Sequence, residues 1–215
     1  MKQNIERIKK YLIDNYRWVI FFVCIISLLF LIEDVMDEDI MAFDEKGYFI
    51  VSKFLISEER HFIAKCITNF ANMFWLIGVS IFALIFVKNR KIGLSIFLNL
   101  PMSALTNYVL KHILQRPRPV GHRIIDEIGY SLPSGHSMVS MAFYGYIIYL
   151  IFKNVKNKYL KLFLISLLSL LIISIGVSRI YLGVHYTSDV LAGFLVAIAY
   201  LILYIKIMKI TLLKE

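Results

Sequence analysis

Residues 178–189 read Ser178-Arg179-Ile180-Tyr181-Leu182-Gly183-Val184-His185-Tyr186-Thr187-Ser188-Asp189 and lie between two long apolar runs, 159–177 and 190–208. Ionisable side chains are costly inside apolar segments that cross a membrane, so those that occur there usually serve a function. His185 and Asp189 are four residues apart, which predicts that they share one helix face and that Asp189 holds a ring nitrogen of His185.

Arg179 lies six residues before His185, and Gly183 between them permits a bend in the chain. An oriented imidazole beside a fixed guanidinium is suited to attack a phosphate group. A buried His–Asp pair can also do no more than stabilise a helix end, so the pair alone leaves both interpretations open.

The composition indicates a membrane protein. The chain has 215 residues, of which 59% are hydrophobic, and its mean hydropathy is +0.72. These values are too apolar for an ordinary soluble domain and predict a single polytopic membrane domain over residues 1–215. Cys24 and Cys66 both lie in or beside apolar runs, which argues against a disulfide framework.

The apolar runs predict an all-α bundle of six transmembrane helices. An acidic segment follows the first run in place of a small-residue cleavage site, so we interpret this run as a retained span. Residues 33–60 hold nine acidic and three basic groups with an interrupted apolar stripe, which predicts an interfacial helix in the first extracytoplasmic loop. The third run is interrupted by Asn99, Pro101, Thr106 and Asn107, which we expect to face neighbouring helices rather than lipid. The predicted spans are 18–32, 62–87, 92–110, 134–152, 159–177 and 185–208.

The distribution of charge predicts the orientation of this bundle. Six spans place both termini on one side, which holds 15 of the 24 Lys and Arg residues and a net charge of +12, against −3 on the other side. Because basic residues concentrate in cytoplasmic loops, we expect cytoplasmic termini. The overall charge of +9 is therefore a topology signal, and we expect no nucleic-acid partner.

A second polar cluster, Lys-His-Ile-Leu-Gln-Arg-Pro-Arg-Pro, starts at Lys111 and follows the third span. Its two prolines disfavour helical backbone before them, which predicts a helix end around Leu114. Lys111 would then project from the last helical turn and Arg118 from a stiff loop, so that both could bind one phosphate. Lys111 could instead be a snorkelling lysine, and we interpret Arg116 and Arg123 as arginines of the membrane interface.

A third cluster, Pro133-Ser134-Gly135-His136, opens the fourth span. Ser134 is a candidate N-cap, Gly135 leaves backbone N–H groups open to an anion, and His136 on the first turn could deliver a proton there. A lone Ser-Gly-His at a helix start is more often an ordinary cap. The lysine-rich turn at 153–161 pairs the fourth and fifth spans, so all three clusters should meet on the extracytoplasmic side.

Together, the patterns Lys-x6-Arg-Pro, Pro-Ser-Gly-His and Ser-Arg-x5-His-x3-Asp resemble the type 2 phosphatidic acid phosphatase (PAP2) superfamily over a catalytic core at about residues 62–205. The region of Phe43-Asp44 and Thr68 also resembles small bacterial members. The resemblance implies that His185 is a nucleophile forming a phosphohistidine, that Asp189 orients it, and that His136 is the general acid. It also implies phosphate binding by Lys111, Arg118, Ser134, Gly135 and Arg179.

The residues predict catalysis without a metal or another cofactor. The transferred phosphoryl group spreads negative charge over its equatorial oxygens, which three cations and a helix N-terminus can stabilise. None of the three clusters supplies the several carboxylates that a two-metal phosphatase uses.

The predicted function is a multi-pass lipid phosphatase of the cell membrane, with a lipid phosphate or pyrophosphate as substrate and membrane lipids around it. The resemblance implies phosphatidate, phosphatidylglycerol phosphate or undecaprenyl pyrophosphate, and an outward-facing site favours the last. Two alternatives are a phosphotransferase that passes the phosphoryl group from His185 to another lipid, and a non-catalytic transporter or scaffold. A haloperoxidase is disfavoured because those relatives are expected to be soluble.

Overall fold

A computed structural model describes residues 15–37 and 41–213, and these residues form helices and loops without a strand. A π-helical turn, Lys209–Leu213, extends the last α-helix. The eight α-helices of the described part are α1 (Tyr16–Met36), α2 (Met41–Leu55), α3 (Glu58–Asn69), α4 (Met73–Phe86), α5 (Arg90–Leu114), α6 (Gly135–Asn154), α7 (Lys158–Tyr181) and α8 (Thr187–Met208).

The all-α membrane bundle is confirmed, with one correction to its spans. Within the described residues, α1, α5, α6, α7 and the extended α8 are each long and apolar enough to cross a membrane. The predicted span at 62–87 is broken in the structure, because α3 and α4 are separate helices bent by 42° that make a sixth span only together. The break forms where Asn72 caps α4, its side chain accepting a hydrogen bond from the Phe74 N–H at 3.0 Å.

Helix α2 forms in the first loop, where the sequence predicts an interfacial helix. Phe49 and Phe54 are exposed on it, whereas Asp44 and Val51 are buried against the end of α7 and the start of α8. The approach is close at Gly47, where a Cβ atom would lie 2.0 Å from the Thr187 hydroxyl oxygen. Position 40 of the predicted apolar stripe lies outside the described residues.

The core of the bundle surrounds α6, which packs against α5, α7 and α8. Fully buried apolar side chains such as Phe143 and Ile175 fill it. Two tyrosines satisfy their hydroxyl groups there: Tyr146 donates to the Ser95 hydroxyl at 2.9 Å, and Tyr204 donates to the Ser95 carbonyl. Both tyrosine hydroxyl groups are thus paired with α5 from neighbouring helices.

A polar stripe runs along α5 at four-residue intervals through Ser95, Asn99, Ser103 and Asn107, all of them buried. The burial of Asn99 and Asn107 confirms that they face neighbouring helices, whereas Pro101 is exposed and the prediction is wrong for it. Thr106 is half-buried and donates to the Met102 carbonyl of its own helix at 2.8 Å. The Asn107 amide donates to the carbonyl of Pro133, ahead of α6, at 3.3 Å. Lys111 is the next residue in the same series, so the stripe directs Lys111 towards the start of α6.

Four helix ends meet beside the loop 115–134. α5 ends at Leu114, as predicted, and Gln115 closes it in the left-handed conformation. The Ser134 N–H donates to the Asp189 carbonyl at 3.0 Å, which joins the start of α6 to the first turn of α8. The Ile124 N–H donates to the Leu182 carbonyl at 3.0 Å, which joins the loop to the end of α7.

Candidate active site

His185 lies in the loop before α8 and not on that helix, so the predicted shared helix face is wrong. α8 begins at Thr187, Tyr186 is its N-cap, and Asp189 accepts the Tyr186 N–H at 2.9 Å in a capping box. The predicted contact still exists, because this cap turns the Asp189 carboxylate towards His185, whose Nδ1 lies 3.4 Å from Oδ2. Gly183 has a φ of +68°, and a Cβ atom there would lie 2.1 Å from the His122 carbonyl oxygen.

The tautomer of His185 follows from its two neighbours. An Arg118 Nη1 lies 3.1 Å from His185 Nε2, and a guanidinium can only donate. His185 Nε2 must therefore be the unprotonated acceptor, which places the ring proton on Nδ1, facing Asp189. The accepting lone pair is thus on the nitrogen that faces the cations.

Burial keeps this imidazole uncharged at neutral pH. His185 is 3% exposed, and burial lowers its pKa to about 4, although the neighbouring Asp189 carboxylate acts in the opposite direction. A neutral imidazole is the form that can attack phosphorus.

The three predicted phosphate-binding cations all contact the segment 127–131. The Lys111 ammonium donates to the carbonyls of Tyr130 and Ser131, the second at 3.3 Å. Arg118 donates to two further carbonyls of the segment at 3.1 and 2.9 Å. Arg179 donates to the Glu127 carboxylate at 2.5 Å. The cations therefore converge, and one loop occupies part of their donor capacity.

Arg179 is 1% exposed and is held in place from α3, because its Nη1 donates to the Thr68 hydroxyl at 2.8 Å. Its Nε–H has no hydrogen-bond partner among the described residues. A buried guanidinium N–H without a partner is costly, so it is a donor that an anion at this site can use.

The Pro-Ser-Gly-His cluster lies at the same end of the bundle. Ser134 is the N-cap of α6 by position, but its hydroxyl accepts from the Ser137 hydroxyl at 2.9 Å and makes no cap hydrogen bond. A Cβ atom on Gly135 would lie 3.8 Å from the Lys111 Cε, so the two predicted phosphate-binding elements are adjacent. His136, the second residue of α6, is within electrostatic range of Lys111, Arg118, Arg179 and His185.

The interpretation of Arg116 as an interface arginine is wrong. Its side chain is 8% exposed, and it pairs with Asp189 Oδ1 at 2.8 Å and with Asp44 Oδ2 at 2.7 Å. Burial alone would lower the pKa of Arg116, but the carboxylates of Asp189 and Asp44 raise it. Arg123 lies in the same polar loop as Arg116 but is exposed. The local sequence pattern therefore could not distinguish the buried arginine from the exposed one.

Several other residues of the site carried no predicted role. Glu127 and Ser131 lie in a loop without periodicity, so no pattern indicated which way they point. Asp44 and Thr68 were indicated only by the resemblance of their regions to small bacterial members of the superfamily. Among residues 15–37 and 41–213, no three His, Cys, Asp or Glu side chains are placed to hold a metal ion. Metal independence stays a prediction.

The fold and the site together define a membrane-embedded helical bundle whose cations and histidines converge at one end. The model of the PAP2 superfamily matches residues 92–211, and the chain belongs to this superfamily. The resemblance inferred from the three motifs is thereby confirmed.

The relatives of this chain include phosphatidylglycerophosphatase B of Bacillus subtilis (strain 168), which is 34% identical over 120 residues. The match covers 55% of this chain and 58% of that relative, which is less than two thirds of its length. The fold is similar to the crystal structure of a transmembrane PAP2-type phosphatidylglycerolphosphate phosphatase from Bacillus subtilis, with a TM-score of 0.79, 23% identity and coverage of 89% of this chain and 96% of that one. It is also similar to Aquifex aeolicus LpxE, with a TM-score of 0.61, 21% identity and coverage of 74% and 92%.

Proposed function

We propose that this protein is a membrane lipid phosphatase that hydrolyses a phosphate or pyrophosphate headgroup through a phosphohistidine at His185. The observation that carries the proposal is the Arg118 contact at 3.1 Å from His185 Nε2. It leaves the lone pair of the neutral ring directed at the place where the phosphate-binding cations converge. A phosphate that takes over the Arg118 donors would lie next to that lone pair.

In the first step, His185 Nε2 forms a bond to phosphorus while the bond from phosphorus to the leaving oxygen breaks. His136 donates a proton to that oxygen, and a bound phosphate anion favours the protonated form of His136 that this requires. The ring of His185 becomes cationic, and the buried Asp189 carboxylate at 3.4 Å stabilises that charge. Lys111, Arg118 and Arg179 neutralise the charge on the equatorial oxygens.

In the second step, water attacks the phosphohistidine, and His136 now accepts the proton of that water. The bond from phosphorus to Nε2 breaks, inorganic phosphate forms, and His185 returns to its neutral state. No metal is needed for either step, because the cations supply the electrostatic stabilisation.

The substrate class we propose is an amphiphile with a terminal phosphate at headgroup level. Two arguments select different members of that class. The predicted outward-facing site, with cytoplasmic termini, favours undecaprenyl pyrophosphate. The 34% identity to a phosphatidylglycerophosphatase favours phosphatidylglycerol phosphate, with phosphatidate as the simplest analogue.

A phosphate-release assay on purified protein in micelles tests the proposal. Wild-type protein, His185→Ala and the matched control His122→Ala, an exposed loop histidine, are each given the three lipids. We expect release by wild type and His122→Ala in the presence of a chelator, and no release by His185→Ala. Release by His185→Ala at a near-normal rate would refute the assignment. Adding a lipid alcohol and searching for its phosphorylated form separates a phosphotransferase from a hydrolase.

A further inference from the structure

Helix α2 brings a buried carboxylate to the site from a part of the chain outside the family match at 92–211. Asp44 is 2% exposed, although its neighbours Phe43 and Glu45 are exposed. A charge that is removed from water must be paired to be tolerated. The contacts of Asp44 therefore indicate what this helix does at the site.

Asp44 contacts the first turn of α8 through both of its oxygens. Its Oδ1 accepts the Ser188 N–H at 2.8 Å, and its Oδ2 accepts the Ser188 hydroxyl at 2.8 Å. Oδ2 also accepts Arg116 Nη2 at 2.7 Å. A carboxylate from another helix thus satisfies a backbone N–H at the positive end of α8.

Arg116 connects Asp44 to the residue that faces His185. Its Nη1 donates to the Ser188 hydroxyl at 2.7 Å and to Asp189 Oδ1 at 2.8 Å. The guanidinium also lies over the ring of Tyr186, 4.0 Å from its centroid. The two carboxylates and the guanidinium form one buried ionic chain.

The two oxygens of Asp189 consequently have separate partners. Oδ1 pairs with Arg116, whereas Oδ2 accepts the Tyr186 N–H and the Ser131 hydroxyl and faces His185 Nδ1. Rotation of the carboxylate would break the Arg116 pair. The fixed orientation reserves Oδ2 for the His185 proton.

We propose that Asp44 and Arg116 are positioning residues that hold the Asp189 carboxylate in the orientation and charge state that His185 needs. This inference rests on the proposed function only for its effect on turnover. Arg116 keeps the buried Asp189 ionised, and Asp44 offsets the charge of Arg116, so that Asp189 still interacts with a cationic His185 ring. The interfacial helix is therefore part of the catalytic end of the molecule.

The experiment compares Asp44→Asn and Arg116→Gln with matched controls, Glu45→Gln on the exposed face of α2 and Arg123→Gln in the same loop as Arg116. The first readout is the ¹⁵N NMR spectrum of the five histidines in substrate-free protein at pH 7, with the His185 signal assigned by its absence in His185→Ala. We expect the Nδ1–H tautomer in every protein, because Arg118 still donates to Nε2. The Nδ1 signal should shift in both test variants and stay unchanged in both controls, because only the test variants displace the Asp189 oxygen that faces this nitrogen.

The second readout is turnover of phosphatidate by the folded fraction. We expect kcat to fall about 10- to 100-fold in both test variants, the factor for one lost hydrogen bond between charged groups, with KM within about threefold of wild type. The kcat of the double variant Asp44→Asn/Arg116→Gln should be no lower than that of the less active single variant, because both residues act through one ionic chain. It also leaves one fewer unpaired buried charge than Arg116→Gln, which leaves both Asp44 and Asp189 without their cation.

The proposal is overturned if the folded test variants keep the wild-type Nδ1 signal of His185, or if their kcat stays within about twofold of the controls. A change confined to KM or to the unfolding temperature overturns it as well, because a merely structural contact would give that result. If wild-type protein hydrolyses none of the three lipids, the proposed function fails, and the NMR comparison still decides whether Asp44 and Arg116 orient His185.

Discussion

The centre of the bundle and the proposed catalytic end, where His185 and the cations converge, are stabilised by different interactions. Around Phe143 and Ile175 the contacts are apolar, with single hydroxyl groups paired between helices. At the catalytic end, four cations and three carboxylates occupy one cluster with His185, and most of them are buried. In the centre, removing a group loses its own contacts, whereas at the catalytic end it also leaves the partner's charge buried without compensation.

Asp189→Asn should have the largest effect among the variants that test this difference between the two regions. An amide keeps the shape of the carboxylate but can donate to His185 Nδ1, which favours the wrong tautomer and removes the stabilisation of the cationic ring. We expect kcat to fall about 10³- to 10⁴-fold, less than for His185→Ala, in single-turnover assays on folded protein. A fall smaller than tenfold would mean that Asp189 has only a capping role in α8.

The acid stability of the catalytic end is the next test. The pKa of His185 is lowered by burial from 6.5 to about 4, so between these values the unfolded chain binds a proton that the folded protein does not. The folded state should therefore lose stability as the pH falls from about 6.5 to 4, by about 3 kcal/mol from this group.

Unfolding in mixed micelles at pH 7, 5.5 and 4 measures this effect as the difference between wild type and His185→Gln. The free energy of unfolding of wild type should decrease relative to that of His185→Gln as the pH is lowered. A difference independent of pH would show that His185 is solvated, contrary to its burial.

A smaller effect is expected at Glu127, whose carboxylate contacts Arg179 at 2.5 Å and lies 3.9 Å from Arg118. It competes with an incoming phosphate for these arginines. Glu127 is 28% exposed, so water weakens the pair, and Glu127→Gln should tighten inhibition by inorganic phosphate about three- to fivefold. Asp126→Asn, an exposed neighbour, is the control. Equal inhibition constants in both variants would contradict direct competition.

The smallest effect is expected in the apolar centre. Ile175 is fully buried, and Ile175→Val removes one methylene group without leaving a polar atom unpaired. We expect a loss of about 1 kcal/mol in the free energy of unfolding with kcat unchanged, measured on the same micelle preparation. A large loss of kcat here would mean that the two regions are coupled and the comparison is too simple.

The sequence predicted the spans and the convergence of the three motifs because these depend on apolar length, charge distribution and the alternation of direction. The helix end at Leu114 followed from the two prolines, which act locally. The bend between α3 and α4 was not predictable in the same way. The run 62–87 is long enough for one span, and its polar residues, Lys65, Thr68, Asn69 and Asn72, do not show by themselves that Asn72 caps a new helix.

The ionic chain through Arg116 could not be predicted because it depends on tertiary contacts. Asp44 is 72 residues from Arg116 along the chain, and no periodicity links them. The contact of His185 with Asp189 was predicted for the wrong reason: residues four apart meet on a helix, but here they meet across a helix cap. The spacing was informative because both geometries bring such residues together.

The polar stripe of α5 has a consequence for how this protein assembles in a bilayer. Ser95, Asn99, Ser103 and Asn107 lie on one face of this helix, and all four are buried towards neighbouring helices rather than lipid, where Asn107 donates to the Pro133 carbonyl. Turning the helix by half a revolution would expose all four to acyl chains and direct Lys111 into lipid. The buried polar residues of α5 thus determine the direction in which Lys111 points before any substrate is present.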